Sequence, residues 1–392
     1  MRSKTLLYLI VLIQLFSCSK PKEYETSNLI EIEIDLDQTV DYKFTDFFDT
    51  TLIVPLEETE NSFLGEVSKV ISKEDVIFVL DSRISETLYL FDYSGKLINS
   101  FSGTGSGPGE FLRATNFYLS KNADTVFIQD SSMPKVLAFK KNGEFLFEKN
   151  LRGQSNFDDL IPYGNGYLMI SSSSDNLGKD ISILDSSLEF VTSPFEFREN
   201  EYLLESGGKD QFFYPASGGG LFLKESFSKD LYLLESGNLK TYSLEFPENR
   251  VYSPPKLPWD DSKPSVHQAI VFRSIKKDDL LNIGDQVLNL GDIVFVNYVK
   301  KDRIYCLALD QSTQEAKLVS NFINDLDGVV ANLPAIFPIN YQADQMTISL
   351  TPTQILSEIE GEMGANPYQD YLLAKLQSQE ENPVLFIYKK TD

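Results

Sequence analysis

Residues 67–101 read VSKVISKEDVIFVLDSRISETLYLFDYSGKLINSF. Val67–Ile71, Val76–Leu80, Thr87–Phe91 and Leu97–Phe101 are short runs rich in β-branched and aromatic residues, the types that fit a pleated, half-buried surface. Between them lie a short turn, a loop opening on Asp81, and the tight turn Tyr93-Ser94-Gly95-Lys96. The pattern returns about 48 residues later, within the range typical of blade repeats. Val126-Phe127-Ile128 with Asp130 matches Ile77-Phe78-Val79 with Asp81, Val136–Phe139 matches Leu88–Phe91, and Lys141-Asn142-Gly143-Glu144 matches the Gly95 turn. Weaker copies run through Tyr167–Ile170, Ile181–Asp185 and Phe190-Val191, then Gly220–Leu223, Asp230–Leu234 and Thr241–Phe246, then Asp292–Val296, Arg303–Leu309 and Ala316–Val319. Four-stranded units at this period predict an all-β fold, a six-bladed β-propeller of antiparallel blades.

The sixth unit is sparse. Gln342–Leu350 and Pro383–Lys389 read as strands, while Thr353–Glu360 and Tyr368–Gln379 read as short helical elements near the C-terminus, with Thr353 as a cap for the first. A ring closes best when both termini share a sheet, so Thr51–Pro55 is expected to complete the last blade.

The N-terminus has a different character. Arg2 and Lys4 precede an apolar run, Leu6–Leu12, and Leu15-Phe16-Ser17-Cys18 closes it, as in a secretory signal. The run is too short for a spanning helix. Ser17-Cys18 resembles a bacterial lipobox, in which the cysteine takes a diacylglycerol. An ordinary cleaved signal with a chance cysteine is the plainer alternative. The expected division is a signal at 1–17, a tether at 18–45 beginning on lipidated Cys18, and the propeller at 46–392. Glu31, Glu33, Asp35 and Asp37 alternate with Ile30, Ile32, Ile34 and Leu36, so part of the tether also fits an edge strand.

Composition excludes several functions. Net charge is −23, which argues against nucleic acid and anionic headgroups as partners. Cys18 and Cys306 are the only cysteines, so lipidation of the first leaves no disulfide. His267 is the only histidine, which rules out a His-based zinc site, and no cofactor is expected. It lies with Trp259 in a Pro-rich insertion, 247–282, whose plain reading is a surface or packing segment and whose alternative is a lid. No H-E-x-x-H, G-x-S-x-G or calcium-loop pattern occurs.

Phe101-Ser102-Gly103-Thr104-Gly105-Ser106-Gly107-Pro108-Gly109-Glu110-Phe111 follows the first unit. It lacks the GK[ST] ending of a phosphate loop and leads into no helix. Gly103, Gly105, Gly107, Pro108 and Gly109 are expected to shape a sharp crossing between blades, with Glu110 accepting backbone N–H groups. This stretch, with Pro55-Leu56-Glu57, Gly65, Phe78-Val79-Leu80-Asp81 and Asn382-Pro383-Val384, resembles the six-bladed β-propeller lipoproteins of Gram-negative anaerobes, which are NHL- or TolB-like. The resemblance implies a palmitate-bearing envelope lipoprotein and, with Ser19 where a retention Asp would stand, the outer membrane. It implies no activity.

In an up-and-down blade with strands a to d, the b–c and d–a loops share one face. The c–d turns here are tight, so that face carries the longer loops and is the expected ligand face. Its charged candidates are Arg83, Glu110, Arg113, Asp130, Lys135 and Arg152. Asp81 and Asp130, which recur in register, are expected to cap turns. The leading functional expectation is a monomeric, lipid-anchored envelope module that binds a glycan, a peptide or another envelope protein. A propeller hydrolase or lyase acting on carbohydrate or peptide is the alternative, and it requires two carboxylates, or a base with a metal, converging at the channel mouth.

Overall fold

The computed structural model describes residues 28–390 except 104, 131, 134, 151–155, 173–178, 197–212, 225–227, 236, 248–280, 301–302, 330–341 and 361–381. Strands β1 (Asn28–Glu33), β2 (Thr39–Lys43) and β3 (Thr50–Pro55) precede the first complete blade, and each finds its partner far along the chain. Blade 1 is β4 (Lys69–Lys73), β5 (Val76–Asp81), β6 (Thr87–Asp92) and β7 (Leu97–Phe101), paired antiparallel in that order. Blade 2 is β8 (Asn116–Leu119), β9 (Thr125–Asp130), β10 (Lys135–Lys140) and β11 (Phe145–Asn150), and blade 3 is β12 (Asn156–Tyr163), β13 (Gly166–Ser172), β14 (Lys179–Leu184) and β15 (Phe190–Glu196). Blade 4 comprises β16 (Phe213–Pro215), β17 (Leu221–Lys224), β18 (Asp230–Glu235) and β19 (Asn238–Glu245). Blade 5 comprises β20 (Leu281–Leu290), β21 (Ile293–Lys300), β22 (Arg303–Asp310) and β23 (Glu315–Ile323). The sixth sheet shows three strands among the described residues: β24 (Gln345–Leu350), β25 (Val384–Lys389) and, as expected, N-terminal β3, paired Ile53↔Phe386.

The closed ring is visible in the packing. Phe78 and Leu80 of blade 1 meet Phe117, Ile128 and Leu137 of blade 2. Phe127 and Val136 meet Met169 and Leu184 of blade 3. Leu168 and Ile170 meet Phe213 and Leu223 of blade 4. Phe222 and Tyr242 meet Val294 and Leu307 of blade 5, and Phe295 and Val319 meet Phe386 and Tyr388 of the closing sheet. Leu385 and Ile387 then return to Ile77, Val79 and Phe91 of blade 1. Each strand alternates its side chains between two faces, so each sheet feeds two such interfaces. Every fully buried Phe or Leu in them contributes about 1.5–3 kcal/mol.

Residues 28–43, within the stretch expected as tether, form β1 and β2. β1 lies parallel to β19 on blade 4, and β2 parallel to β23 on blade 5. The edge-strand pattern therefore prevails there, because Ile32 and Ile34 bury against Tyr242 and Leu244 while the alternating acids stay in solvent. The c–d turns of blades 1 to 3 share one geometry. Asp92 accepts the N–H groups of Ser94 and Lys96, and Gly95 closes the turn at φ +85°. In blade 3 the same position is Leu188, at φ 59°.

Helix α1 (Pro352–Glu360) follows β24. Its cap is Thr351 rather than Thr353. Thr351 Oγ1 accepts the Gln354 N–H at 3.3 Å and Gln354 Oε1 accepts the Thr351 N–H at 2.8 Å, a capping box that places Pro352 at the first helical position, where its missing N–H costs nothing. The second helical segment, 368–379, lies outside the described residues.

Candidate functional site

The first strands of blades 1 to 4 line a cavity in the middle of the ring. On β4 the period of two sets Lys69, Ile71 and Lys73 along the wall of a cavity of about 560 Å³. β8 and the turn after it contribute Tyr118 to Lys121, and β12 contributes Asp159 to Tyr163. Phe213 and Gly219 of blade 4 and Gln342 ahead of β24 complete the described lining. From Lys69 and Asp159 the cavity extends to Lys73, Lys121, Gly164 and Gly219 at the a–b turns, so it lies toward that face of the ring.

A polar belt crosses the inner end of this cavity. Lys69 Nζ donates to Asn116 Oδ1 at 2.8 Å, and Asn116 Nδ2 donates to Asp159 Oδ1 at 3.2 Å. Asp159 Oδ2 then accepts the Phe213 N–H at 3.3 Å. Four consecutive blades are thereby linked through side chains that are all buried. A β-bulge between Phe157 and Asp159 breaks the regular register of β12 there, the kind of irregularity that re-aims a side chain. The Lys69 ammonium also lies 4.8 Å from the Tyr118 ring centroid, within cation–π range. The Tyr118 hydroxyl donates to Gln129 Oε1 at 2.5 Å and accepts the Leu160 N–H at 3.0 Å, which fixes the ring. Near the mouth, Lys73 Nζ donates to the Lys121 carbonyl, and the Gln342 amide pairs with both backbone groups of Ser72.

The residues expected to bind sit on loops of the other face. Asp130 is fully buried and accepts the N–H groups of Leu112 at 2.7 Å and Ser132 at 2.9 Å. Its counterpart Asp81 accepts N–H groups from Gly65, Glu66, Arg83, Ile84 and Ser85. Both carboxylates therefore cap loops. Lys135 is buried, with Nζ donating to the Glu110 carbonyl at 2.5 Å and lying 3.2 Å from Glu148 Oε2. The Gly109 N–H and the Lys135 ammonium together hold the Glu148 carboxyl below its ordinary range. Glu110 Oε2 accepts the Gly107 N–H at 2.8 Å, as the structural reading of the glycine loop expects. Gly109 stands at φ +74°, and a side chain at Gly103 would collide with the Leu112 carbonyl. Arg83 and Arg113 are exposed and pair with Glu66 at 3.4 Å and Glu86 at 3.3 Å. The structure thus joins Glu110 and Lys135 into one brace, while the two arginines stand on separate ion pairs. Arg152 and Cys18 lie outside the described residues, as do His267 and Trp259.

Lys69 reads simply as part of the strand Val67–Ile71, and Asn116 and Asp159 stand outside the repeated runs that marked the blades. The available signal was the spacing of Lys69 and Lys73, which places two cations with Ile71 on one face of a strand. Among the described residues no group of three or more His, Cys, Asp or Glu side chains is arranged to hold a metal ion, and no helix is long and apolar enough to cross a membrane.

The fold has solved relatives. A candidate exported protein from Bacteroides fragilis NCTC 9343 superposes with a TM-score of 0.63 at 17% identity, covering 93% of this chain and 100% of that one. A member of the DUF4221 family from Bacteroides vulgatus ATCC 8482 gives a TM-score of 0.52 at 10% identity, covering 87% and 96% of the two chains. No curated protein matches. The model of a domain of unknown function, DUF4934, matches residues 28–389, and the chain belongs to that family.

Proposed function

We propose that this chain is a lipid-anchored binding module of the cell envelope that takes its ligand in the central cavity. The observation that carries this reading is the cavity itself. Its volume, about 560 Å³, falls in the range of small-molecule sites, and its walls are rigid first strands of successive blades. Mixed walls, with Ile71 and Pro162 beside Tyr163 and Gln342, suit a ligand that has both apolar and polar surface. Binding is favoured over hydrolysis because the one carboxylate among the described lining residues, Asp159, is committed to N–H donors from three residues, Asn116, Leu160 and Phe213. Acid–base chemistry on a glycosidic bond asks for two carboxyl groups facing the substrate.

The signal-like start with Cys18 supports lipid anchoring, and the candidate exported relative supports a place in the envelope, here taken as the outer membrane. The ligand is a glycan, a peptide or a segment of an envelope protein, bound by a monomer, and net charge −23 speaks against nucleic acid. The test is affinity for a panel of envelope glycans and peptides before and after Ile71→Trp, which narrows the channel. A loss of about tenfold or more with an unchanged melting temperature supports the reading. Ligand affinity that survives the substitution overturns it.

A further inference from the structure

The chain carries a net charge of −23, yet the described lining of its central cavity holds more cations than anions. Lys69, Lys73 and Lys121 line it, against the single carboxylate Asp159 among the described lining residues. Strand geometry and the turn after β8 produce this concentration. Lys69 and Lys73 share one face of β4, and Lys121 follows directly on the neighbouring first strand, close enough for its carbonyl to accept the Lys73 ammonium. Charges of one sign in a low-dielectric cleft focus the field and raise the local concentration of the opposite ion. Among the described lining residues three ammonium groups face one carboxylate, so an anion seated there meets a net positive wall.

We infer that the cavity selects a small organic anion, with its carboxylate or phosphate at the Lys73–Lys121 end and its body against Ile71, Pro162 and Tyr163. This rests on the central cavity being the ligand site. Lys73 is half-buried and Lys121 exposed, so both are open to substitution without loss of the core. Lys69 lies deeper and belongs to the belt through Asn116.

The experiment is calorimetric titration of the full chain with trigalacturonate, citrate, glucose 6-phosphate and neutral maltotriose, at low and high salt. Binding of at least one anion is expected, with weaker affinity at high salt because screening reaches the open mouth. Lys73→Gln and Lys121→Gln should each weaken it about tenfold, the scale of one charge-assisted hydrogen bond, while the melting temperature holds. The carboxylate and phosphate arms identify which anion is preferred. Equal binding of maltotriose, or no binding by any anion, overturns the inference. Maltotriose binding that Ile71→Trp abolishes would do so while leaving the cavity as the ligand site. An anion whose affinity Ile71→Trp leaves intact would remove both readings together.

Discussion

Asn382 and Leu64, 318 residues apart in sequence, are joined by a hydrogen bond of 2.9 Å from the Leu64 N–H to the Asn382 side-chain oxygen. The Asn382 amide also donates to the carbonyls of Glu57, at 2.9 Å, and Ser62. One buried side chain thus pins the loop after β3 to the chain entering β25, where the ring closes. Asn382→Ala leaves these backbone groups without partners and should cost about 2–3 kcal/mol in chemical denaturation. A change under about 0.5 kcal/mol, the scale of an ordinary surface substitution, would show that closure does not depend on it.

Asp81 gathers N–H groups from two loops, the one entering blade 1 and the one joining β5 to β6. Asp81→Ala is expected to lose about 3 kcal/mol, because the donors are part-buried and the loops fold over them. Asp81→Asn should fall between, since one acceptor oxygen remains. Hydrogen exchange at Ile84 and Ser85 localises the effect; unchanged protection there would contradict it.

Cys306 lies inside β22, opposite Val319, and burial pushes its thiol up to about 12. The reactive thiolate is therefore scarce in the folded state at pH 8. The native chain should resist an aromatic disulfide reagent at that pH and react fully once unfolded in guanidinium. Prompt labelling of the folded protein would mean that the space between blades 5 and 6 opens readily.

Two turn residues in the same left-handed conformation should respond with opposite sign to glycine. Gln314, at φ 59°, is exposed, so Gln314→Gly relieves strain and should add about 0.5–1 kcal/mol. Leu188, also at φ 59°, is fully buried against blades 2 and 3, so Leu188→Gly should lose about 1–2 kcal/mol as the lost burial outweighs the relief. Thermal unfolding of both variants decides the ordering, and stabilisation by both would remove burial as the reason for leucine here.

The blade pattern was readable wherever inner strands are strongly apolar. β5 and β6, and their copies β9 and β10, carry uninterrupted buried runs, three of which end in a turn- or loop-capping Asp while β10 ends in Lys140, and repetition made both the period and the strand ends visible. First strands were harder. β8 and β16 span only Asn116–Leu119 and Phe213–Pro215, too short for an alternation to stand out. The polar belt of the channel was hidden because its members, Lys69, Asn116 and Asp159, meet only when different blades come together. The parallel seats of β1 and β2 depend on partners some two hundred and more residues away, which local pattern does not encode. Charged residues on long loops stood out in sequence, yet Asp130 and Lys135 serve to hold those loops in place.

Were Cys18 to carry the proposed lipid, the way β1 is fastened along blade 4 would limit how far the ring could stand from a membrane. From Asn28 onward the chain is committed to the ring, so a lipid on Cys18 leaves only Ser19 to Ser27 as leash. At about 3.4 Å per residue that stretch reaches on the order of 30 Å at full extension, about one bilayer core. A propeller held so closely would patrol the layer next to the lipid and meet partners there, with little freedom to sample the space beyond.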